Sequence, residues 1–140
     1  MAFIPCKIGG GGSGGFTTTT LWTNNSSSSN FAAQEITLSD DIDNYDYIGV
    51  DYKYNTGSSD VGCHRMLMSS SDIKNATYNT SVARCGLEIN IISSSNISFA
   101  RQIYYINDTK LRFATTTQVG SSTTSNALAI PVRVVGCKFA

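Results

Sequence analysis

The sequence predicts an all-β fold, an antiparallel β-sandwich or jelly roll of about eight short strands behind an extended N-terminal arm. Apolar residues alternate with period two over short runs, and no 3.6-residue stripe reaches helical length. Clusters of turn formers separate those runs: NNSSSSN, SDDIDN, NTGSSD, SSSDIKN, ISSSN, IND and GSSTTSN. Polarity rests on hydroxyls and amides. Ser, Thr and Asn make up about a third of the chain and charged residues only 14%. That balance suits strand faces and turns, whereas helix surfaces favour Lys, Glu, Arg, Gln and Ala.

Three strands carry the strongest alternation. Over residues 45–54, Ile48, Val50, Tyr52 and Tyr54 share one face. Over 96–106, Ile97, Phe99, Ile103 and Tyr105 do so, with Arg101 interrupting the face. Over 127–139, Leu128, Ile130, Val132 and Val134 line one side. Weaker runs predict strands at 16–22, where Leu21 and Trp22 provide an aromatic anchor, and at 31–38, 63–68, 82–92 and 111–115. Pro131 cannot donate to a ladder, so an edge strand or a bulge is expected there. There is no internal repeat.

The chain divides at its glycines. Residues 1–15 form an anchor peptide and hinge, and residues 16–140 form the sandwich domain. Phe3, Ile4 and Ile8 make a small apolar cluster with Pro5 among them, too short to fold alone. Gly9, Gly10, Gly11, Gly12, Gly14 and Gly15, broken only by Ser13, form a hinge that spans about 15 Å if unrestrained. The expected role of the apolar cluster is an anchor inserted into a larger assembly. The alternative is an extra edge strand folded back onto the domain.

Composition limits the partners. Formal charge is zero and Lys and Arg are scattered singly, so no basic stripe exists to follow phosphates and nucleic acid is not expected. No run approaches the ~18 apolar residues of a membrane span, and the first residues lack a signal-peptide pattern. Synthesis in a reducing cytosol is therefore expected. Cys6, Cys63, Cys85 and Cys137 have no C-x-x-C spacing and read as free, buried thiols, with a Cys63–Cys85 bridge as the alternative.

The residues do not point to an enzyme. His64, the sole histidine, follows Cys63 directly, and strand neighbours face opposite ways. There is no nucleophile elbow, phosphate loop or zinc spacing, and no cofactor or metal is expected. Asp40, Asp41, Asp43 and Asp46 miss the spacing of a calcium loop and read as a solvated turn. The six N-x-S/T sequons follow from composition. The tyrosines are the best recognition candidates: Tyr45, Tyr47 and Tyr104 could face a ligand or a neighbouring subunit, although each also fits a core or cross-strand position. Tyr104 and Tyr105 must point to opposite faces.

The order TTLWTN, polar loop, FAAQ-I-LS, D-x-D-x-Y-x-YI-V-YK over residues 19–53 resembles a small β-domain at the C-terminal end of tailed-bacteriophage structural proteins. IYYINDTKLRFATT and AIPVRVVGCK resemble that domain's last strands, so the likeness covers roughly residues 16–140. Such domains end tail fibres, tail-tip proteins and head fibres and are commonly homotrimeric. The resemblance implies a non-enzymatic virion component bound to other capsid or tail proteins. Standing behind a short anchor, the chain is expected to be a capsid decoration, head-fibre or tail adaptor. The alternative is a receptor- or glycan-binding module.

Overall fold

A computed structural model describes residues 15–59, 64–77 and 87–139. Nine strands form in these residues: β1 (Phe16–Thr23), β2 (Gln34–Thr37), β3 (Tyr47–Asn55), β4 (His64–Ser69), β5 (Leu87–Ile92), β6 (Ser98–Asn107), β7 (Lys110–Phe113), β8 (Thr117–Gln118) and β9 (Leu128–Phe139). Among the described residues, helical structure is confined to one 3-10 turn, Ile42–Asn44, and one short helix, α1 (Ser70–Ile73). The fold is the expected antiparallel sandwich. One sheet runs β1-β9-β3-β4 and the other β2-β7-β6-β5, with β8 also paired to β6. Eight strands stand where alternation predicts them. The ninth, β8, is two residues long and too short to leave a periodic signal.

The last strand, β9, lies between β1 and β3, so the end of the chain closes the first sheet. Both faces of β3 and β9 are largely buried, as expected for the two central strands. Between the sheets lie Ile48, Val50, Ile89, Phe99, Ile103, Leu111, Phe113 and Val134. The aromatic anchor sits at one side of this core. Trp22 packs at 6.0 Å from Phe31 and 5.9 Å from Phe113, and Phe31 meets Phe113 edge-on at 5.5 Å. Such offset and edge-to-face pairs add to their area burial.

Arg101 does not interrupt the β6 face; it completes it. The residue is 0% exposed. Its Nε donates to the Ala129 carbonyl at 2.8 Å, Nη1 to Ala114 at 2.7 Å and Nη2 to Leu128 at 3.1 Å. The guanidinium also lies 5.2 Å from the Phe31 ring centroid. Burial pushes its pKa down to about 10. The fixed fork of donors satisfies three carbonyls where β7 and β9 leave regular pairing.

Pro131 lies at a bulge, and in a central strand. Asp51 pairs with Arg133 and Tyr52 with Pro131, which leaves Val132 without a partner in β3. That extra residue breaks the alternation expected over Leu128, Ile130, Val132 and Val134. Ala129, at φ 51°, joins Ile130 and Val134 in the core, while Val132 is buried outside it and Leu128 only packs against it. Ile130 and Val134 of the predicted face therefore lie in the core, and the bulge accounts for the departure at Val132.

The two ends of the sandwich differ. Phe16, where β1 begins, pairs with Phe139, where β9 ends, and Tyr47 pairs with Cys137 in the same region. The 38–46 turn, α1 and the β6–β7 turn collect at this terminal end, joined by Ile42 N–H to Asp108 O at 2.9 Å and Ser70 N–H to Asp46 O at 3.0 Å. The 24–33 loop, the turn after β3, the β5–β6 turn and the 119–127 loop gather at the distal end. Phe31 N–H donates to Asn126 O at 2.9 Å, and Thr56 N–H to Ala127 O at 3.1 Å.

Candidate binding surface

Strand β5 reads Leu-Glu-Ile-Asn-Ile-Ile, and its burial alternates without a break. Leu87, Ile89 and Ile91 enter the core, so Glu88, Asn90 and Ile92 project outward. In register beside them on β6, Gln102 pairs with Glu88, Ala100 with Asn90 and Ser98 with Ile92. Ala100 in turn pairs with Thr117 of β8.

Small side chains at Ala100 and Ala114 leave a groove of about 510 Å³ on this outer face. Glu88, Gln102, Thr115, Thr117 and Gln118 supply its polar groups, and Val119, Gly120 and Ser121 form one wall. The wall is held by Val119 N–H to Ser98 O at 2.9 Å and Gln118 N–H to Thr123 O at 2.8 Å. Gly120, at φ 77°, supplies the left-handed turn. The Tyr104 hydroxyl donates to Gln102 Oε1, and Gln102 Nε2 donates to Glu88 Oε1 at 3.4 Å. Gln102 is therefore oriented before any ligand arrives.

A second cleft, of about 200 Å³, opens where β5 meets the first sheet. Tyr52, Tyr54 and His64 line one side and Asn90, Ile91 and Ile92 the other. Tyr52 and His64 stack with centroids 5.7 Å apart and planes inclined by 25°. Ser94 N–H donates to the Tyr54 hydroxyl oxygen at 3.3 Å, fixing that ring.

The tyrosines expected to meet a partner do not form one site. Tyr45 and Tyr47 are at the terminal end, half-buried. The Tyr45 hydroxyl donates to Asp40 Oδ2 at 2.9 Å, and its ring packs on the core. Tyr47 meets Phe139 edge-on at 5.7 Å. Tyr104 does face away from the core, but it is only 4% exposed and so cannot itself present a contact surface. It acts instead as the support of Gln102. Tyr105, on the opposite face, donates to Asp108 Oδ1 at 2.5 Å.

The anchor residues Phe3, Ile4, Pro5 and Ile8 lie outside the described residues, as do Gly9, Gly10, Gly11, Gly12 and Gly14. Gly15 is described, immediately ahead of β1. Cys6, Cys63 and Cys85 also lie outside them. Cys137 is a buried free thiol, and burial pushes its pKa up.

The acidic run is more than a solvated turn. Asp41 caps the 3-10 turn by accepting from Asp43 N–H at 2.9 Å. Asp40 accepts from Asp41 N–H and Asn44 Nδ2, and Asp46 from Phe139 N–H at 2.7 Å. Carboxylate oxygens of Asp41, Asp43 and Asp108 lie within 4.8 Å of one another. The Lys74 ammonium stands among them, 2.5 Å from Asp43 and 3.2 Å from Asp108, so the cluster already has its cation.

Sequence reasoning missed Glu88, Asn90 and Gln102. The signal was present in the polar alternation of LEINII, but the alanine floor comes from separate strands. No family model matches the sequence, and no curated protein is similar to it.

Proposed function

We propose that the chain is a non-enzymatic accessory component of a bacteriophage particle, a capsid decoration, head-fibre or tail adaptor held through its N-terminal arm. One observation carries this reading. The arm must leave the domain at Phe16, at the terminal end, whereas the 119–127 loop and the aromatic cleft gather toward the other end. A domain tethered in this way turns its concave surfaces outward. The sequence resemblance supplies the phage setting.

Three aromatic rings cluster at the tethered end. Phe16 and Phe139 are 6.1 Å apart, Tyr47 joins them, and Phe139 is 50% exposed. This apolar patch suits packing against neighbouring subunits, and the reading includes a homotrimer. Light scattering on residues 16–140 should report about three chains; a monomer at micromolar concentration contradicts the trimer.

Each large apolar side chain of the arm contributes roughly 1.5–3 kcal/mol when fully buried against another protein. Replacing Phe3 and Ile4 with Asp should leave the melting temperature nearly unchanged and remove the protein from particles. Unfolding of the double variant would instead assign the arm to the domain's own core. A second reading, a receptor- or glycan-binding module, is favoured by the polar outer groove and is compatible with the first.

A further inference from the structure

We propose that the outer groove and the aromatic cleft are two parts of one track that binds an uncharged, hydroxyl-rich chain, an oligosaccharide, laid across the strands of the second sheet. The inference rests on the reading of the domain as an exposed binding module.

Asn90 connects the two parts. It lines the aromatic cleft, and in register it is the direct neighbour of Ala100, which forms the groove floor. Ala100 pairs on its other side with Thr117, another groove residue. A continuous row therefore runs from the cleft over Asn90 and Ala100 to Thr117. Ile92 and Val119, 66% and 60% exposed, lie along the distal side of this row, each beside Ser98.

The chemistry of the row selects the ligand. Sugar rings offer C–H faces and hydroxyl edges. Tyr52, Tyr54 and His64 provide aromatic surface for the faces, and Asn90, Gln102 and Gln118 provide amides that both donate and accept. Among the described residues, Glu88 is the one charged side chain lining either concavity. A carboxylate accepts from hydroxyls and repels anions, so acidic glycans and nucleic acids are disfavoured. The Tyr104–Gln102–Glu88 chain pre-orders these groups and limits the entropy lost on binding.

A glycan array probed with the full chain tests the proposal, using neutral hexasaccharides, matched disaccharides, uronic-acid hexasaccharides and an unstructured neutral peptide. Binding to a neutral hexasaccharide and more weakly to its disaccharide is expected. Asn90→Ala and Ala100→Gln both alter outward positions. Each should weaken the hexasaccharide at least about tenfold, because each interrupts the junction between the two parts. Thermal melts identify any variant that fails to fold, and Gln118→Ala then serves as the replacement. Equal affinity for both lengths, selection of acidic glycans or the peptide, or no neutral glycan bound at millimolar concentration would overturn the track. Particle incorporation is measured in parallel on the same variants. Normal incorporation with no glycan binding rejects the track alone, and loss of incorporation by the Phe3 and Ile4 variant remains the separate test of attachment.

Discussion

Gly136 of β9 lies flat against the Tyr45 ring. A Cβ at residue 136 would fall less than 3.0 Å from Cγ, Cδ1 and Cδ2 of that tyrosine. The ring cannot withdraw easily, since its hydroxyl is bonded to Asp40 and its other side packs on the core. This contact closes the terminal end of the sandwich beneath the 3-10 turn.

Gly136→Ala should therefore destabilise the domain by about 1–3 kcal/mol, the usual cost of overpacking. Urea unfolding of the single and double variants checks the cause. In a Tyr45→Ala background the same Gly136→Ala change should cost much less, giving strong non-additivity between the two positions. Additive costs would place the strain elsewhere.

Arg101 gives a larger effect. Arg101→Met keeps an unbranched side chain of similar length but takes the guanidinium from the carbonyls of Ala114 and Ala129, and leaves Leu128 O with the Thr116 hydroxyl as its remaining side-chain donor. At about 1–3 kcal/mol for each buried group left unsatisfied, a total loss of about 3–5 kcal/mol is expected, because water reaches part of the site after substitution. Arg101→Lys should recover only part of it, since an ammonium cannot reproduce the fork. Chemical denaturation of the three proteins measures the difference.

The sandwich was legible in the sequence because alternation survives wherever a strand has one buried face. Ile48 and Val50 on β3, and Phe99 and Ile103 on β6, follow that rule. It failed where other physics took over. Arg101 occupies a core position that a hydropathy pattern assigns to an apolar residue. The Val132 bulge shifts β9 by one residue, and both faces of that strand are buried, so no single phase describes it. The binding surface was less legible still. Its floor depends on which strands become neighbours, and the pairing of Asn90 with Ala100 and Thr117 is a property of topology.

The acidic cluster at the terminal end should not respond to calcium. Lys74 already sits between Asp43 and Asp108, and these carboxylates raise its pKa, Asp43 most. A bound ion at a hundred times its dissociation constant would add about 2.7 kcal/mol to stability. Thermal melts of the natural chain with and without millimolar calcium should coincide. Lys74→Met removes the internal cation and leaves three converging carboxylates, so calcium should raise the melting temperature of that variant alone.

Asp51 should govern much of the acid response. It is 1% exposed on the outer face of β3, held by Arg65 Nε at 2.5 Å, by Arg65 Nη2 at 3.0 Å and by Arg133 Nε. Burial alone would push its carboxyl up, but hydrogen bonds and charge from Arg65 and Arg133 outweigh burial and hold it below the ordinary value of 3.8. A carboxylate with a depressed folded pKa contributes stability above its unfolded pKa. That contribution is lost as pH falls through 3.8 toward the folded value, because the unfolded chain takes up the proton first. Asp51→Asn leaves two guanidinium groups facing a neutral amide, so the variant should be clearly less stable at pH 7. Asp40 and Asp108 are also depressed and titrate in both proteins. The stability gap between natural chain and variant isolates Asp51. Melting temperatures measured from pH 7 downward should show that gap constant to about pH 5 and shrinking below pH 4. A gap that stays constant to pH 2 would mean that the ion triad is not what acid disrupts.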